Sequence, residues 1–255
     1  MKTLELVDIQ HNVKIGDKCG NITPNVTEDS VFTHEGVPVG FYMRNLSDKG
    51  QKLAEVANAE LRSNRVPKSE MRRSSGLHGA GGEVRQYSTI IGSVPPKPHM
   101  RRPYPSISSV HGVKTANTFI KAMLMLCKES ENIIRDVMPE QYEAQKNLLQ
   151  KTDSKWRFGN LFTSSISNYN ISAPFHRDAG NIIGAVNVII TKRENSTGGN
   201  LNIPDYGATI DQCDNSILVY PAWRNMHGVT PIIPTAEGGY RNSLVFYPLK
   251  AFLNA

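Results

Sequence analysis

The sequence predicts an α+β protein in which helices from the N-terminal half buttress a β-sandwich or jelly-roll core. Apolar residues recur at helical spacing before residue 151, and short β-like runs separated by turn residues follow residue 156. Short strands after a helical half are typical of a sandwich or jelly roll supported by helices. A chain of 255 residues can bury one full core, so we expect a single domain over residues 1–255.

Residues 1–65 are predicted to contain a hairpin and a helix. The hairpin covers residues 31–46, where two alternating runs flank the turn signal Glu35-Gly36. A helix capped by Asp48 follows and ends before Pro67. Residues 66–105 are rich in Gly, Pro, Ser and Arg, which predicts long basic loops with one strand near residues 86–91.

Residues 114–151 are predicted to form the supporting helices. The first covers residues 115–129, and the second lies between residues 139 and 151. One face of the first helix is apolar and is therefore expected in the core; it consists of Phe119, Ala122, Met123, Leu126 and Cys127.

The jelly-roll core is expected over residues 156–250. Its predicted strands lie at residues 162–170, 182–191, 200–203, 216–220 and 242–247. Turn signals at 197–199 and 204–205 separate them. This part of the chain also contains the residues that point to chemistry.

Positive charge is concentrated in one segment. The chain has 29 Lys and Arg against 23 Asp and Glu, a formal net charge of +6. Residues 60–102 hold nine basic and three acidic residues, so this segment carries +6 (nine minus three) and the rest is neutral overall. Such a concentration is typical of a surface that binds a phosphate backbone, and a solvated basic loop is the alternative. Its candidate nucleic-acid contacts are Arg72, Arg73, Arg101 and Arg102.

Composition excludes several classes of protein. With 39% hydrophobic and 20% charged residues, the chain is unlike a disordered or collagen-like protein. No stretch approaches the roughly 18 apolar residues of a membrane-spanning helix. The N-terminus lacks the apolar region of a signal peptide, and the three widely spaced cysteines suit a reducing compartment. We therefore expect an intracellular monomer of the cytoplasm or nucleus, of cellular or viral origin, that is neither secreted nor membrane-bound.

Two histidines and an aspartate form a candidate metal site. His176 and Asp178 stand two residues apart, so on a strand both side chains face the same side. His227 follows another predicted strand and is the third candidate ligand. Two histidines and one carboxylate make the facial triad of non-haem Fe(II) oxygenases, which leaves coordination positions open. The alternative is that these are ordinary surface side chains.

Arg241 and Ser243 form a candidate anion site on the last predicted strand. A buried arginine is costly unless a partner neutralises it, and its planar fork suits a carboxylate. Ser243 faces the same side and can donate to the same group. An arginine paired with Asp or Glu at an interface is the alternative.

The order of these motifs resembles a known family. Four motifs follow one another along the chain: His176-Arg177-Asp178, then Gly198-Gly199-Asn200-Leu201-Asn202-Ile203-Pro204, then His227, then Arg241-Asn242-Ser243. This pattern resembles the Fe(II)- and 2-oxoglutarate-dependent dioxygenases, and within them the TET/JBP group, which oxidises the 5-methyl group of DNA pyrimidines. The resemblance implies a double-stranded β-helix fold, double-stranded DNA as partner, and O₂ as cosubstrate. It also implies that His176, Asp178 and His227 bind iron, and that Arg241 and Ser243 bind 2-oxoglutarate.

The resemblance extends to the substrate site, with one departure. The TET motif HRDxxN is present and ends at Asn181, which would contact a flipped base, and Tyr247 matches an aromatic residue that stacks on that base. TET enzymes have a histidine two residues further on, where this chain has Leu249. Leucine forms no hydrogen bond to a base edge, so the choice between 5-methylcytosine, oxidised to 5-hydroxymethylcytosine and beyond, and thymine stays open.

Three other functions remain open at the level of sequence. An oxygenase with the same chemistry could act on a protein side chain, a free nucleobase or a small molecule. A zinc hydrolase could use the same His/Asp/His set, but it would leave Arg241 and Ser243 without a role. A catalytically inactive DNA-binding module is the third alternative.

Overall fold

The fold is described from a computed structural model, which covers residues 1–70, 78–79, 82–83 and 85–253. Its helices are α1 (Asp48–Arg62), α2 (Asn117–Val137) and α3 (Pro139–Gln150). Its strands are β1 (Lys2–Glu5), β2 (Ser30–His34), β3 (Val37–Met43), β4 (Ser69–Glu70), β5 (His78–Gly79), β6 (Gly82–Glu83), β7 (Tyr87–Val94), β8 (Ser106–Ile107), β9 (Ser164–Tyr169), β10 (Ala173–His176), β11 (Asn187–Glu194), β12 (Ser196–Gly198), β13 (Leu201–Ile203), β14 (Ala208–Ile210), β15 (Ile217–Tyr220), β16 (His227–Val229), β17 (Ile232–Pro234) and β18 (Tyr240–Tyr247).

Two sheets form the core of the protein. The larger has the strand order β1-β2-β3-β15-β11-β18-β9-β7-β4, with β8 attached to β7, and the smaller has the order β10-β16-β13-β14. Apolar residues of β13 and β14 pack against β15 and the hairpin of β2 and β3, so the two sheets face each other. This arrangement confirms the predicted jelly roll and the predicted hairpin.

The central strands β11 and β18 of the larger sheet are covered on both faces. In β11, Val188 and Ile190 pack into the cluster that includes the helices, whereas Ile189 lies on the opposite face. In β18, Leu244 and Phe246 face the helices, while Arg241, Ser243 and Val245 face the smaller sheet. Because side chains alternate along a strand, one short sequence supplies both a helix-packing face and a site-facing face.

Helices α1 and α2 pack against the outer face of the larger sheet, as the sequence predicted. The five predicted core residues of α2 are all buried. The predicted cap of α1, Asp48, is instead its first residue, because Ser47 Oγ accepts the Gly50 N–H at 3.1 Å. Helix α2 continues beyond residue 129 to Val137, because Ile134 keeps the apolar face in register with the core. Among the described helices, none combines the length and apolarity that crossing a bilayer requires.

The predicted basic loops contain more sheet than expected. Strand β7 has eight residues and pairs with β9 along much of its length, so it is an integral strand of the larger sheet. Sequence patterning underestimated it because its serines and Gly92 weaken the apolar alternation. The short strands β10, β14, β16 and β17 were also not predicted, since three or four residues carry too little periodicity.

Candidate active site

A cavity of about 190 Å³ lies between the two sheets. Strands β9, β11 and β18 form one wall, and β10, β13 and β16 form the other. Its apolar lining includes Ile166, Ile171, Ala173, Ile189, Leu201, Val229 and Val245, and its polar lining includes His176, Asp178, Asn187, Tyr220, His227, Arg241 and Ser243. The structure therefore brings the proposed metal and 2-oxoglutarate residues into one cavity.

His176, Asp178 and His227 converge at one end of this cavity. One ligand atom of each lies within 4.8 Å of the others, and His176 Nε2 is 3.6 Å from Asp178 Oδ1. The two histidines are direct partners in the antiparallel pair of β10 and β16, which brings their ring centroids to 4.3 Å. His227 is buried, whereas His176 and Asp178 are partly exposed. A metal held here would be reached from the side of His176 and Asp178.

Both imidazoles are oriented by backbone carbonyls. His227 Nδ1 lies 3.1 Å from Asn225 O, and His176 Nδ1 lies 2.8 Å from Pro174 O. A proton on each Nδ1 would be donated to that carbonyl, so each Nε2 keeps a lone pair for a metal. Burial and the neighbouring His176 lower the pKa of His227, which favours the neutral, metal-binding form.

Asp178 is held by two asparagine side chains. Asn187 Nδ2 donates to Asp178 Oδ2 at 3.0 Å, and Asn181 Nδ2 lies 3.4 Å from the same oxygen. Asn181 Nδ2 also donates to Asn187 Oδ1 at 2.9 Å. These contacts occupy Oδ2 and leave Oδ1 directed toward His176. Sequence analysis missed Asn187, because an asparagine at the first position of a strand carries no signal of its own.

Arg241 is buried in the cavity wall without an acidic partner. Its side chain is only 3% exposed, and no ion pair among the described residues involves it. Its Nη2 donates to Gln212 Oε1 at 3.3 Å, while its buried Nε has no hydrogen-bond partner within the described part of the chain. Burial and the nearby Arg193 cation lower the pKa of Arg241 to about 9. A buried cation of this kind needs an anion, and the interfacial ion pair considered as the alternative is not present in the described residues.

A second positively charged side chain, Arg193, lies beside Arg241. Arg193 is its direct partner across β11 and β18. The Arg193 guanidinium donates to the backbone oxygens of Ser196, Gly198 and Gln212 at 2.6 to 3.1 Å. The charges of Asp211 and Asp214 also act on Arg193, but within the described residues neither guanidinium donates to a carboxylate. The carboxylate of a dicarboxylic keto acid fits this donor set.

Gly199 allows the close approach of the chain to Arg241. A Cβ at Gly199 would lie 3.2 Å from Arg241 Cδ and 3.0 Å from Ile232 Cγ1, and its φ of +68° is itself unfavourable for other residues. The preceding Gly198 has φ +69°, and a Cβ there would collide with the Pro231 carbonyl oxygen. The glycine pair noted in the sequence is thus a steric requirement of the anion site.

Ser243 and Tyr247 share the cavity face of β18 with Arg241. Ser243 lines the cavity, and its Oγ accepts from Asn168 Nδ2 at 3.4 Å, which leaves the hydroxyl hydrogen for another acceptor. Tyr247 lies toward the metal end, where burial and the charge of Asp178 raise its pKa well above the usual value. Asn181 is buried and bridges backbone to backbone with Leu249. Leu249 thus lies beside the loop that carries Asp178 and Asn181.

The four predicted arginine contacts lie away from this cavity or outside the described residues. Arg101 and Arg102 are exposed, and Arg102 lines a separate cleft with Lys68 and Lys97. Arg72 and Arg73 are not among the described residues. Contact of these four arginines with DNA stays a prediction.

The fold and this cavity define the class of protein as a 2-oxoglutarate- and Fe(II)-dependent dioxygenase. The family model Tet_JBP, an oxygenase domain of that superfamily, matches residues 98–250, more than half of the chain. The chain therefore belongs to the Tet/JBP family, and its cofactors are Fe(II) and 2-oxoglutarate. The predictions of family, fold and cofactors are confirmed. The roles of the individual site residues stay predictions that the geometry fits.

Among the solved structures similar to this chain, a TET protein shares the fold. NgTET1 in complex with 5mC DNA is 13% identical, with a TM-score of 0.60 over 95% of this chain and 83% of that chain. A 2OG-Fe(II) oxygenase from Burkholderia pseudomallei is 13% identical, with a TM-score of 0.45 over 82% of each chain. A prolyl hydroxylase from Trichoplax adhaerens is 12% identical, with a TM-score of 0.41 over 83% of this chain and 84% of that one. No curated protein matches this chain in sequence.

Proposed function

We propose that this protein oxidises the 5-methyl group of a flipped pyrimidine in double-stranded DNA, with conversion of 5-methylcytosine to 5-hydroxymethylcytosine as its first reaction. Membership of the Tet/JBP family supports the proposal. Similarity to a TET structure solved with 5mC DNA supports it further, because it spans 95% of this chain and so includes the N-terminal half. When bound, Fe(II), 2-oxoglutarate and O₂ supply the oxidising chemistry.

The chain's own residues would bind and orient the reactants. His176, Asp178 and His227 would hold the iron, each through the atom that its hydrogen bonds leave free. Arg241 and Ser243 would bind the distal carboxylate of 2-oxoglutarate at the closed end of the cavity. The apolar residues of the lining would limit water around the reacting groups and so strengthen these electrostatic contacts.

A methyl group stacked inside a duplex cannot reach this cavity, so the base must leave the helix. Flipping costs a few kcal/mol, which stacking on an aromatic side chain and contacts to the base edge offset. Tyr247, at the metal end of the cavity face, is the proposed stacking partner. Asn181 would contact the base through Oδ1, because its amide nitrogen is already bonded to Asp178 and Asn187.

The observation that carries the nucleic-acid part of the proposal is a basic cleft beside the cavity. The cleft has a volume of about 380 Å³ and is lined by Lys68, Lys97 and Arg102 together with the hydroxyl side chains Ser69, Ser88, Ser106, Ser108 and Ser109. Its Ile90 is the direct strand partner of Ile166, which lines the metal cavity. The cleft takes side chains from both faces of β7, among them Thr89 and Ile90, so it lies at the outer edge of the larger sheet, one strand beyond the cavity wall formed by β9. Cationic and hydroxyl groups there suit the phosphates around a flipped nucleotide.

Thymine in DNA is the second candidate substrate, and the observation that supports it is Leu249. Leu249 is partly buried beside Asn181, at the position where TET enzymes have a histidine. Because an apolar side chain forms no hydrogen bond, it cannot distinguish cytosine, which has an amino group at this edge, from thymine, which has a carbonyl there.

Nucleoside mass spectrometry tests the proposal directly. The protein is incubated with Fe(II), 2-oxoglutarate and duplex DNA that either contains 5-methylcytosine or lacks it, with His227→Ala as the inactive control. We expect 5-hydroxymethylcytosine from methylated DNA only; 5-hydroxymethyluracil from both would instead assign thymine. If neither product forms while 2-oxoglutarate turnover responds to a peptide or small molecule, the DNA proposal is wrong.

A binding experiment tests the basic cleft separately. Replacing Lys68, Lys97 or Arg102 by Ala should weaken duplex binding uniformly across sequences and reduce the salt slope by about one for each lost phosphate contact. Arg135→Ala, on the exposed surface of α2, is the matched control. Unchanged affinity and salt slope in all three cleft variants would remove the cleft from the DNA interface.

A further inference from the structure

The N-terminal segment of residues 9–19, here called the strap, is attached to both strands that carry the metal-binding histidines. Gly16 N donates to Phe175 O at 2.8 Å, and Phe175 N donates to Asp17 O at 2.9 Å. Phe175 directly precedes His176 in β10. The strap is therefore fixed to the backbone next to one proposed ligand.

Packing connects the strap to the second histidine strand as well. Cys19 and Val13 form an apolar cluster with Phe175 and Met226, the residue before His227. A Cβ at Gly228, the residue after His227, would lie 3.0 Å from Cys19 Cβ. Glycine at this position allows the strap to lie directly against β16.

Asp205 receives hydrogen bonds from the strap and from the loop before His227. Its Oδ1 lies 2.8 Å from His11 Nε2, and its backbone oxygen accepts Ile9 N–H at 2.8 Å. Its Oδ2 accepts from Asn225 Nδ2 at 2.9 Å and from Met226 N at 3.1 Å. Burial raises its pKa, but these hydrogen bonds outweigh burial and hold it below the usual value, so Asp205 is ionised at neutral pH.

The tautomer of His11 follows from its two contacts. Val13 N donates to His11 Nδ1 at 3.2 Å, so Nδ1 is the acceptor. The proton is then on Nε2, which donates to Asp205 Oδ1. His11 thus holds the carboxylate from the side opposite to the loop.

A single peptide group connects Asp205 to His227. The N–H of Met226 donates to Asp205 Oδ2, and the carbonyl of Asn225, in the same planar unit, accepts from His227 Nδ1 at 3.1 Å. Fixing the N–H end therefore fixes the direction of the C=O end. A negative charge at the N–H end also polarises the carbonyl and makes it a stronger acceptor.

We propose that Asp205 is a positioning residue for His227, acting through the Asn225–Met226 peptide, and that the strap, through His11, is a structural part of the metal site. Hydrogen-bond partners of metal-binding histidines set ring orientation and ligand basicity, and their loss costs about 10- to 100-fold in metal affinity. The proposal concerns metal binding alone and is independent of which substrate the protein oxidises.

The test titrates the full chain with Co(II) alone, without 2-oxoglutarate or DNA, and records affinity and the visible absorption spectrum of the bound ion. Asp205→Asn, which removes the charge, should weaken Co(II) binding about 10-fold and change the spectrum. His11→Leu should weaken binding several-fold, and His11→Gln, whose amide can still donate to Asp205, should restore it.

Asn25→Ala is the matched control. Asn25 ties the N-terminal region to Gly207 O at 2.8 Å but does not contact Asp205 or the histidine loop, so Co(II) affinity should be unchanged. Parent-like affinity and spectrum in Asp205→Asn would overturn the proposal. If Asp205→Asn does not fold cooperatively, the comparison of His11→Leu with His11→Gln tests the proposal instead. Equal Co(II) affinity of these two variants would overturn the proposal. Failure of the DNA oxidation assay would leave this result unaffected.

Discussion

Gln212 Oε1 accepts a hydrogen bond from Arg241 Nη2 at 3.3 Å, so a neutral amide, and not a carboxylate, holds the buried guanidinium. Thr191 Oγ1 donates to the same oxygen at 2.9 Å, which fixes the amide orientation. Gln212 is fully buried, and its Nε2 has no partner within the described residues. A neutral acceptor orients Arg241 and leaves its charge for the cosubstrate.

Gln212→Glu should therefore impair 2-oxoglutarate binding. A carboxylate at this position would pair with Arg241 and neutralise the charge that attracts the cosubstrate. We expect 2-oxoglutarate affinity, measured by calorimetry on the metal-loaded protein, to fall about 10-fold or more, as expected for a lost charged hydrogen bond. Gln212→Met, which keeps the charge of Arg241, should have a smaller effect. Equal losses in both variants would contradict the charge argument.

Arg241→Met should weaken 2-oxoglutarate binding and at the same time raise the thermal stability of the ligand-free protein. The loss of a charged hydrogen-bonding anchor should weaken 2-oxoglutarate binding on the order of 100-fold, equivalent to about 2.8 kcal/mol. Removal of an unpaired buried cation should raise the Tm of the ligand-free protein, by about 2–4 °C for each kcal/mol gained. Calorimetry and thermal unfolding measure the two effects. Arg135→Met on exposed α2 should change neither, and a lower Tm for Arg241→Met would contradict the stability part.

Asn187→Ala should weaken metal binding without removing a ligand. The substitution deletes the 3.0 Å hydrogen bond to Asp178 Oδ2, so the carboxylate loses its fixed orientation. We expect Co(II) affinity to fall about 10-fold. Asn168→Ala, in the same cavity but bonded to Ser243, should bind Co(II) like the parent. Asp178→Ala should abolish both metal binding and 2-oxoglutarate turnover.

His111 should make the protein sensitive to mild acid. Its Nε2 accepts the Gly92 N–H at 2.8 Å, which requires a neutral ring, and burial lowers its pKa. Since the folded-state pKa lies below the unfolded value of about 6.5, its contribution is complete above that pH and is lost as the pH falls toward the folded-state pKa. His111→Gln, which can accept the same bond without titrating, should lose less stability in urea unfolding between about pH 7.5 and about pH 5.5. Parallel losses in parent and variant would show that other groups dominate.

The local arrangement of the candidate site could be predicted from the sequence. His176 ends β10 and Asp178 lies two residues further on, and Arg241 and Ser243 share one face of β18, so their short spacing predicted which side chains lie close together. The helical periodicity of α2 likewise predicted its buried face. The observed positions match these predictions because each depends on a short stretch of backbone.

Relationships between distant segments were decided only in the folded protein. Three hydrogen-bonded contacts join residues that no repeat or spacing in the sequence relates. They are Asn187 with Asp178, Gln212 with Arg241, and His11 with Asp205 behind His227. The missing counter-ion of Arg241 is also a tertiary property, because a sequence shows an arginine but not what surrounds it. By itself the sequence determined which candidate side chains share a strand face, since this follows from backbone periodicity, while the metal-ligand set stays a prediction. Packing of the two sheets and the N-terminal strap decided which atoms stay free to bind, because hydrogen bonds across the fold occupy the others.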